Sequence, residues 1–154
     1  MSKKTLILVR HAHRETDAGR SRDNGLSDKG REQAKAFRDE YLKAGFNEDA
    51  LFFSSPKKRC VETLEPLAKK VGHSIEIDKL LDEQSDGESN FALTRRIELF
   101  IAWMEQTDAQ TVVACSHGDW IPLFCDMATR EPQDFRKGEW AAFEISDKGK
   151  WSKL

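Results

Sequence analysis

The sequence predicts an α/β fold, a three-layer α/β/α sandwich around a mostly parallel central sheet, and three observations carry that prediction. Short apolar runs rich in β-branched residues alternate with segments of helical periodicity; charged or polar residues bound each run; and no internal repeat, linker or low-complexity stretch interrupts the chain. With 154 residues, 38% hydrophobic and 34% charged, the chain fits one domain over 1–154. It is too short for a (β/α)8 barrel, which needs about 250 residues.

Lys4-Thr-Leu-Ile-Leu-Val-Arg10 reads as a fully buried central strand, and residues 11–26 as a polar loop. Ser27 is placed to N-cap a helix running to about Ala44, with Gly30, Ala34, Phe37 and Tyr41 on one face and Gly45 as its terminator. Leu51-Phe-Phe-Ser54 is a second short strand. Ser55-Pro56 supplies the signal of an N-cap and first-turn proline for a second helix, whose apolar stripe is Cys60, Leu64, Leu67 and Val71 and whose end is Gly72. Pro66 interrupts that stripe and is a candidate kink. Ser74–Ile77 alternates as a strand, and residues 78–90 form a polar, acidic segment. Leu93, Ile97, Phe100, Ile101 and Met104 mark a third helix, Thr111–Cys115 a further buried strand, and a fourth helix begins near Gly118. Trp140–Ile145 and Lys150–Lys153, around Asp147-Lys-Gly149, form a terminal hairpin.

Cys60, Cys115 and Cys125 are odd in number and lack paired spacing, so neither a disulfide framework nor a zinc ribbon is expected, and a reducing compartment is. The apolar run Thr5–Val9 is far shorter than a signal-peptide core or a membrane span; the expectation is a cytoplasmic protein without a membrane partner. A net charge of -2 gives no reason to expect nucleic acid, although it hides +5 over residues 1–60 and -7 over the remainder.

The chemistry-bearing residues fall at strand ends. Arg10-His11 closes the first strand and Ser116-His117-Gly118 closes another; in open α/β sheets the ligand crevice lies beyond the carboxyl ends of the strands, where the two histidines can converge. Arg59 lies in the first turn of the second helix, also just beyond a strand. There the free backbone N–H groups, the helix dipole and a guanidinium fork outline an anion site.

Leu8-Val-Arg-His11, Leu26-Ser-Asp-Lys-Gly-Arg-Glu-Gln-Ala34, Ser54-Ser-Pro-Lys-Lys-Arg59 with Glu62-Thr63, and Cys115-Ser-His-Gly118 resemble, in order and spacing, the blocks of the histidine phosphatase superfamily. In size the chain is similar to the small bacterial branch that includes phosphohistidine phosphatases. The resemblance implies that His11 is phosphorylated and that Arg10, Arg59 and His117, with Gly118 beside them, bind the phosphoryl group. Such chemistry calls for no metal or cofactor, because three cationic or donor side chains can neutralise the equatorial oxygens. A general acid is still required for a poor leaving group. Glu83 in Leu80-Leu-Asp-Glu-Gln-Ser-Asp-Gly87 is the candidate, since its segment is similar to the one that holds the family's proton-donating glutamate; Asp82, Asp86 and Glu88 stand nearby.

Two positions depart from the family pattern. Ala12 replaces the common glycine after the histidine, and Asp17 stands where many members have an asparagine, so that its carboxylate must turn away from phosphate or pair, for instance with Arg14 or His13. The implied substrate is a small phosphorylated metabolite or a phosphoprotein. Two alternatives remain open, a phosphoglycerate-type mutase and a non-catalytic phospho-ligand-binding module. His11-Ala-His13 also matches the His-x-His of metal-dependent barrels, but the length opposes that reading.

Overall fold

A computed structural model describes residues 3–154. Six strands, β1 (Lys4–Arg10), β2 (Leu51–Ser54), β3 (Ile75–Ile77), β4 (Thr111–Ser116), β5 (Trp140–Ile145) and β6 (Trp151–Lys153), form one sheet in the order β3-β2-β4-β1-β5-β6. The first four in that order run parallel, and β5 and β6 close the far edge as an antiparallel hairpin. Four helices cover the sheet: α1 (Asp28–Ala44), α2 (Lys58–Val71), α3 (Asn90–Gln106) and α4 (Trp120–Thr129).

The alternation of side chains along a strand divides the core in two. Leu6 and Leu8 of β1, with Val112 and Ala114 of β4, pack with Ile97 and Phe100 of α3 and Trp120 and Phe124 of α4. The intervening Ile7, Val9, Val113 and Cys115 pack with Phe37 and Tyr41 of α1 and Leu64 and Leu67 of α2. Strands apolar on both faces are what a sheet covered on both sides requires. Ser27 caps α1 as expected, accepting from the Gly30 N–H at 3.1 Å. Gly30 has a second role, since a Cβ there would lie 1.9 Å from the His13 carbonyl oxygen; the glycine lets the loop after β1 press against α1.

The expected cap of α2 is corrected. The helix starts at Lys58 with Lys57 at the N-cap, not at Ser55-Pro56. Ser55 is drawn away by His117, whose Nε2 lies 2.7 Å from Ser55 Oγ, and Asp23 from the distant 11–26 loop instead accepts from the Lys58 N–H at 2.8 Å. The helix continues through Pro66 to Gly72. Among the described residues no helix is long and apolar enough to cross a membrane.

Candidate active site

Register places the site. Arg10 is the parallel partner of Ser116, and Ser54 that of Cys115, so β1, β4 and β2 end side by side. The His11 N–H donates to the Ser116 carbonyl at 3.0 Å and the Ser55 N–H to the Cys115 carbonyl at 3.2 Å, which extends the ladder one step past the strands. The next residues on β1 and β4 are the two histidines, whose rings stand 5.3 Å apart between centroids. His11 is 5% and His117 2% exposed.

His11 Nδ1 is 2.9 Å from the Ala12 carbonyl oxygen, which can only accept, so Nδ1 carries the proton and Nε2 keeps its lone pair. Burial holds this ring's pKa down to about 4 against that backbone bond, helped by the charges of Arg59, Arg10 and Lys137. His117 is lowered to about 2, again chiefly by burial and then by Arg59. Both rings are therefore neutral at pH 7. Ser55 Oγ occupies Nε2 of His117, leaving its Nδ1 edge 3.5 Å from Arg59 Nη2 and 3.9 Å from Glu83 Oε1.

Arg59 is 3% exposed on the first turn of α2 and donates from Nη2 to Glu83 Oε1 at 2.7 Å; its Nε is buried without a partner. Arg10 donates from Nη1 to the Phe135 carbonyl at 2.8 Å, and its Nε is likewise buried and unpartnered. Its guanidinium lies against Gly118, where a Cβ would come within 2.7 Å of the Arg10 fork; no side chain fits there while Arg10 keeps this position. Two buried guanidinium N–H groups without acceptors beside two neutral histidines form a site built for an anion. A basin of about 940 Å3 adjoins it on the α1–β5 side, lined in part by Arg10, Phe135, Lys137 and Trp140.

The acidic segment 78–90 forms the rim. Its base is fixed to the sheet, since Leu81 is fully buried, Ser116 Oγ donates to the Leu81 carbonyl at 2.6 Å and Trp120 Nε1 to the Leu80 carbonyl at 2.7 Å. Among its carboxylates, Glu83 meets Arg59 and is 38% exposed. Asp82 lies 3.4 Å from both Lys57 Nζ and Ser55 Oγ and accepts from the Glu83 N–H. Glu88 is held by two bonds from Arg96, at 2.7 and 2.9 Å, and that pairing lowers its pKa to about 2.

Arg96 is a residue that sequence reasoning missed. From α3 it also donates to the carbonyls of Lys79, Leu80, Asp82 and Glu83, binding the whole rim together. An arginine on a helix with apolar periodicity gives no local sign of such a task. Ser55 was missed in the same way, because its helix-cap signal concealed its bond to His117. Asp17 is exposed and forms no ion pair with Arg14 or His13 among the described residues. His13 faces α1, its Nδ1 2.7 Å from Ser27 Oγ, and does not join His11.

The family model described as the histidine phosphatase superfamily (branch 1) matches residues 6–88. A protein of Mycolicibacterium smegmatis described as an 8-oxo-(d)GTP phosphatase is 29% identical over 153 residues, covering 94% of this chain and 45% of its own. The chain thus spans less than half the length of that relative. Among solved structures, mycobacterial hydrolase 1 superposes with a TM-score of 0.79 at 19% identity, over 99% of this chain and 97% of that one. The protein histidine phosphatase SixA, complexed with tungstate, superposes with a TM-score of 0.78 at 15% identity, over 97% of this chain and 94% of that one. At these identities the superpositions speak for the fold.

Proposed function

This chain belongs to the histidine phosphatase superfamily, and from that premise we propose that it is a phosphatase that hydrolyses a phosphomonoester or phosphoamidate through a phosphohistidine on His11. The observation that carries this reading is the state of His11: neutral, with Nδ1 locked on the Ala12 carbonyl and Nε2 free, beside two unpartnered buried guanidinium N–H groups. An imidazole nucleophile needs that tautomer, and the phosphoryl oxygens need those donors.

In the first step His11 Nε2 attacks phosphorus and the bond to the leaving group breaks. Arg10 and Arg59 take charge on the equatorial oxygens, and His117, held by Ser55 Oγ 2.7 Å from its Nε2, presents its Nδ1 edge beside Arg59 to the same group. Arrival of the phosphoryl group turns the Arg59 fork from Glu83 to the substrate. Glu83 then receives the proton that a monoanionic phosphate ester brings and passes it to the departing oxygen. In the second step water attacks phosphorus, Glu83 takes the proton from that water, the P–N bond breaks, and Glu83 hands the proton to the inorganic phosphate, which leaves as the monoanion and returns Glu83 to the carboxylate. Charge neutralisation by side chains supplies the role that a metal plays elsewhere, so the proposed enzyme works without one. The substrate class is a small phosphorylated metabolite or a phosphoprotein, and the relative named for 8-oxo-(d)GTP brings nucleotides into it.

Rapid acid-free quenching with 32P-labelled substrate tests the mechanism. The expected result is an alkali-stable, acid-labile adduct, absent in His11→Ala, together with inhibition by vanadate and insensitivity to strong chelators. An acid-stable adduct, or label retained by His11→Ala, overturns it.

A further inference from the structure

A neutral histidine carries its proton on one ring nitrogen, and the neighbours of His117 decide which. At Nδ1, Arg59 Nη2 lies at 3.5 Å, and a guanidinium can only donate, so Nδ1 presents a lone pair. The nearest carboxylate oxygen on that side, Glu83 Oε1, stands off at 3.9 Å. At Nε2, Ser55 Oγ lies at 2.7 Å and Cys60 Sγ at 3.5 Å. Both groups can donate or accept, and each has another acceptor for its own hydrogen. Cys60 Sγ donates to the Ser116 carbonyl at 3.7 Å, and Ser55 Oγ to Asp82 Oδ1 at 3.4 Å. The Lys57 N–H occupies one lone pair of Ser55 Oγ at 3.2 Å, which leaves the other for an N–H at Nε2 of His117. The opposite tautomer would take the Ser55 hydrogen from Asp82 and turn Nδ1–H onto a cationic donor.

Asp82 stands where it can hold that pattern. Its Oδ1 accepts from the Glu83 N–H at 2.8 Å, which ties the carboxylate to the rim, and lies 3.8 Å from His117 Nε2. Its Oδ2 lies 3.4 Å from Lys57 Nζ. The ionisable groups that face His117 are Arg59, Lys57 and the Cys60 thiol from α2, Arg10 and His11 from the end of β1, and Asp82 and Glu83 from the rim. In the free protein burial and the cations keep the ring neutral. Substrate changes the balance. In the proposed first step Arg59 turns from Glu83 to the phosphoryl group, and an oxygen of that group meets the Nδ1 lone pair. Two acceptors repel unless a proton lies between them. The incoming anion favours a proton on Nδ1, and the carboxylate of Asp82 favours the resulting cation from the opposite edge of the ring.

We propose that Asp82 is a positioning residue for His117. Through the Ser55 hydroxyl it keeps the resting proton on Nε2, and its charge supports the imidazolium that forms when a phosphoryl anion arrives and Nδ1 takes one proton from solvent. One N–H bond forms and neutral imidazole becomes a cation; the proton that a monoanionic ester brings to Glu83 is a separate one. This role presupposes the phosphoryl pocket assigned above. It divides the two adjoining carboxylates of the rim, Glu83 serving the leaving group and Asp82 the phosphoryl oxygens.

The test uses tungstate, a dianion at pH 7, and 15N NMR of histidine-labelled protein, with His117→Asn to assign the ring among the four histidines of the chain. Free native protein is expected to show His117 with its proton on Nε2, and the tungstate complex to show both nitrogens protonated. Asp82→Asn keeps Oδ1 for the hydrogens of Ser55 and Glu83 and removes only the charge. It should retain the resting tautomer, lose the imidazolium in the complex and bind tungstate about tenfold more weakly, the equivalent of one pKa unit. Ser55→Ala, which leaves Asp82 charged but unlinked, should fall between the two, and Glu83→Gln should keep the imidazolium. A resting proton on Nδ1, a neutral His117 in the native complex, or an Asp82→Asn protein whose His117 ionises like the native one overturns the role of Asp82; the last result would mean that Asp82 merely braces the rim. Absence of tungstate binding overturns the pocket and this role with it. If His117 ionises as described in a protein that forms no adduct on His11, the role of Asp82 stands and the phosphatase reading falls instead.

Discussion

The floor of the pocket and its rim are held by different forces. The floor is Arg10, His11, Ser55 and His117, standing at the ends of β1, β2 and β4 where the sheet's own register fixes them, with Arg59 joining from the first turn of α2. The rim is residues 78–90, and side chains fix it: Ser116 and Trp120 below, Arg96 beside. A floor set by backbone hydrogen bonds tolerates little movement, and its histidines stay neutral because they are dry. A rim held by side chains stays partly exposed, and in the proposed mechanism its carboxylate Glu83 exchanges Arg59 for the substrate's proton.

Acid should separate the two regions most strongly. An unfolded histidine titrates near 6.5, whereas His11 in the floor holds at about 4 and His117 at about 2. Between those values the unfolded chain binds more protons than the folded one, so stability must fall as pH falls, by up to about 1.4 kcal/mol per pH unit for each histidine. Glu88 in the rim, depressed from 4.5 to about 2, also costs stability on acidification, but only below 4.5. Urea unfolding between pH 6.5 and 4.5 therefore reads mainly the floor. Native protein should lose on the order of a few kcal/mol across that window, and the loss should shrink in His11→Asn and again in His11→Asn with His117→Asn. A flat native profile there would mean that the histidines are not dry.

The second contrast is in turnover. In the proposed mechanism Arg10→Ala and Arg59→Ala each remove a donor to the phosphoryl oxygens and should cost about 2 to 4 kcal/mol of transition-state stabilisation in kcat/KM. The cost should be similar for aryl and alkyl phosphates, because both carry the same phosphoryl group. Near-native turnover in folded Arg10→Ala and Arg59→Ala would remove these residues from the pocket.

The floor was legible in the sequence for the same reason that it is rigid. A buried strand announces itself by local composition, so Arg10-His11 and Ser116-His117 could be placed at strand ends, and parallel register then brings them together. The helix face Gly30, Ala34, Phe37 and Tyr41 was legible from its spacing. Ser55 was misread because a cap signal is local, while its bond to His117 spans 62 residues. Arg14 and Arg96 gave no signal either, since their partners are backbone carbonyls set by tertiary structure. For Asp17 the chain alone posed two outcomes, a carboxylate turned away or one paired with Arg14 or His13, and the residue is exposed and forms neither pair among the described residues.

The rim should show itself through the leaving group. A nitrophenolate departs with little help and an alkoxide departs poorly, so Glu83→Gln should slow alkyl phosphates about a hundredfold and aryl phosphates less. Glu88→Gln should not reproduce that pattern, because Glu88 is committed to Arg96. Equal losses on both substrates after Glu83→Gln would make Glu83 a binding group instead of an acid.

The smallest effect concerns Arg96, which touches no substrate in this scheme and acts on Glu83 by holding the carbonyls of Asp82 and Glu83. Arg96→Met should therefore copy the leaving-group pattern of Glu83→Gln in weaker form, about tenfold on alkyl phosphates, because a displaced acid still samples the productive position. Arg96→Lys should recover little, since one ammonium cannot span Glu88 and four carbonyls as the guanidinium does. The double variant with Glu83→Gln should be no slower than Glu83→Gln alone, as expected when one residue works only through the other. A purely structural role for Arg96 would instead slow aryl and alkyl substrates alike and add its loss to that of Glu83→Gln. The leaving-group dependence thus tells a rim that positions an acid from a rim that merely closes the fold.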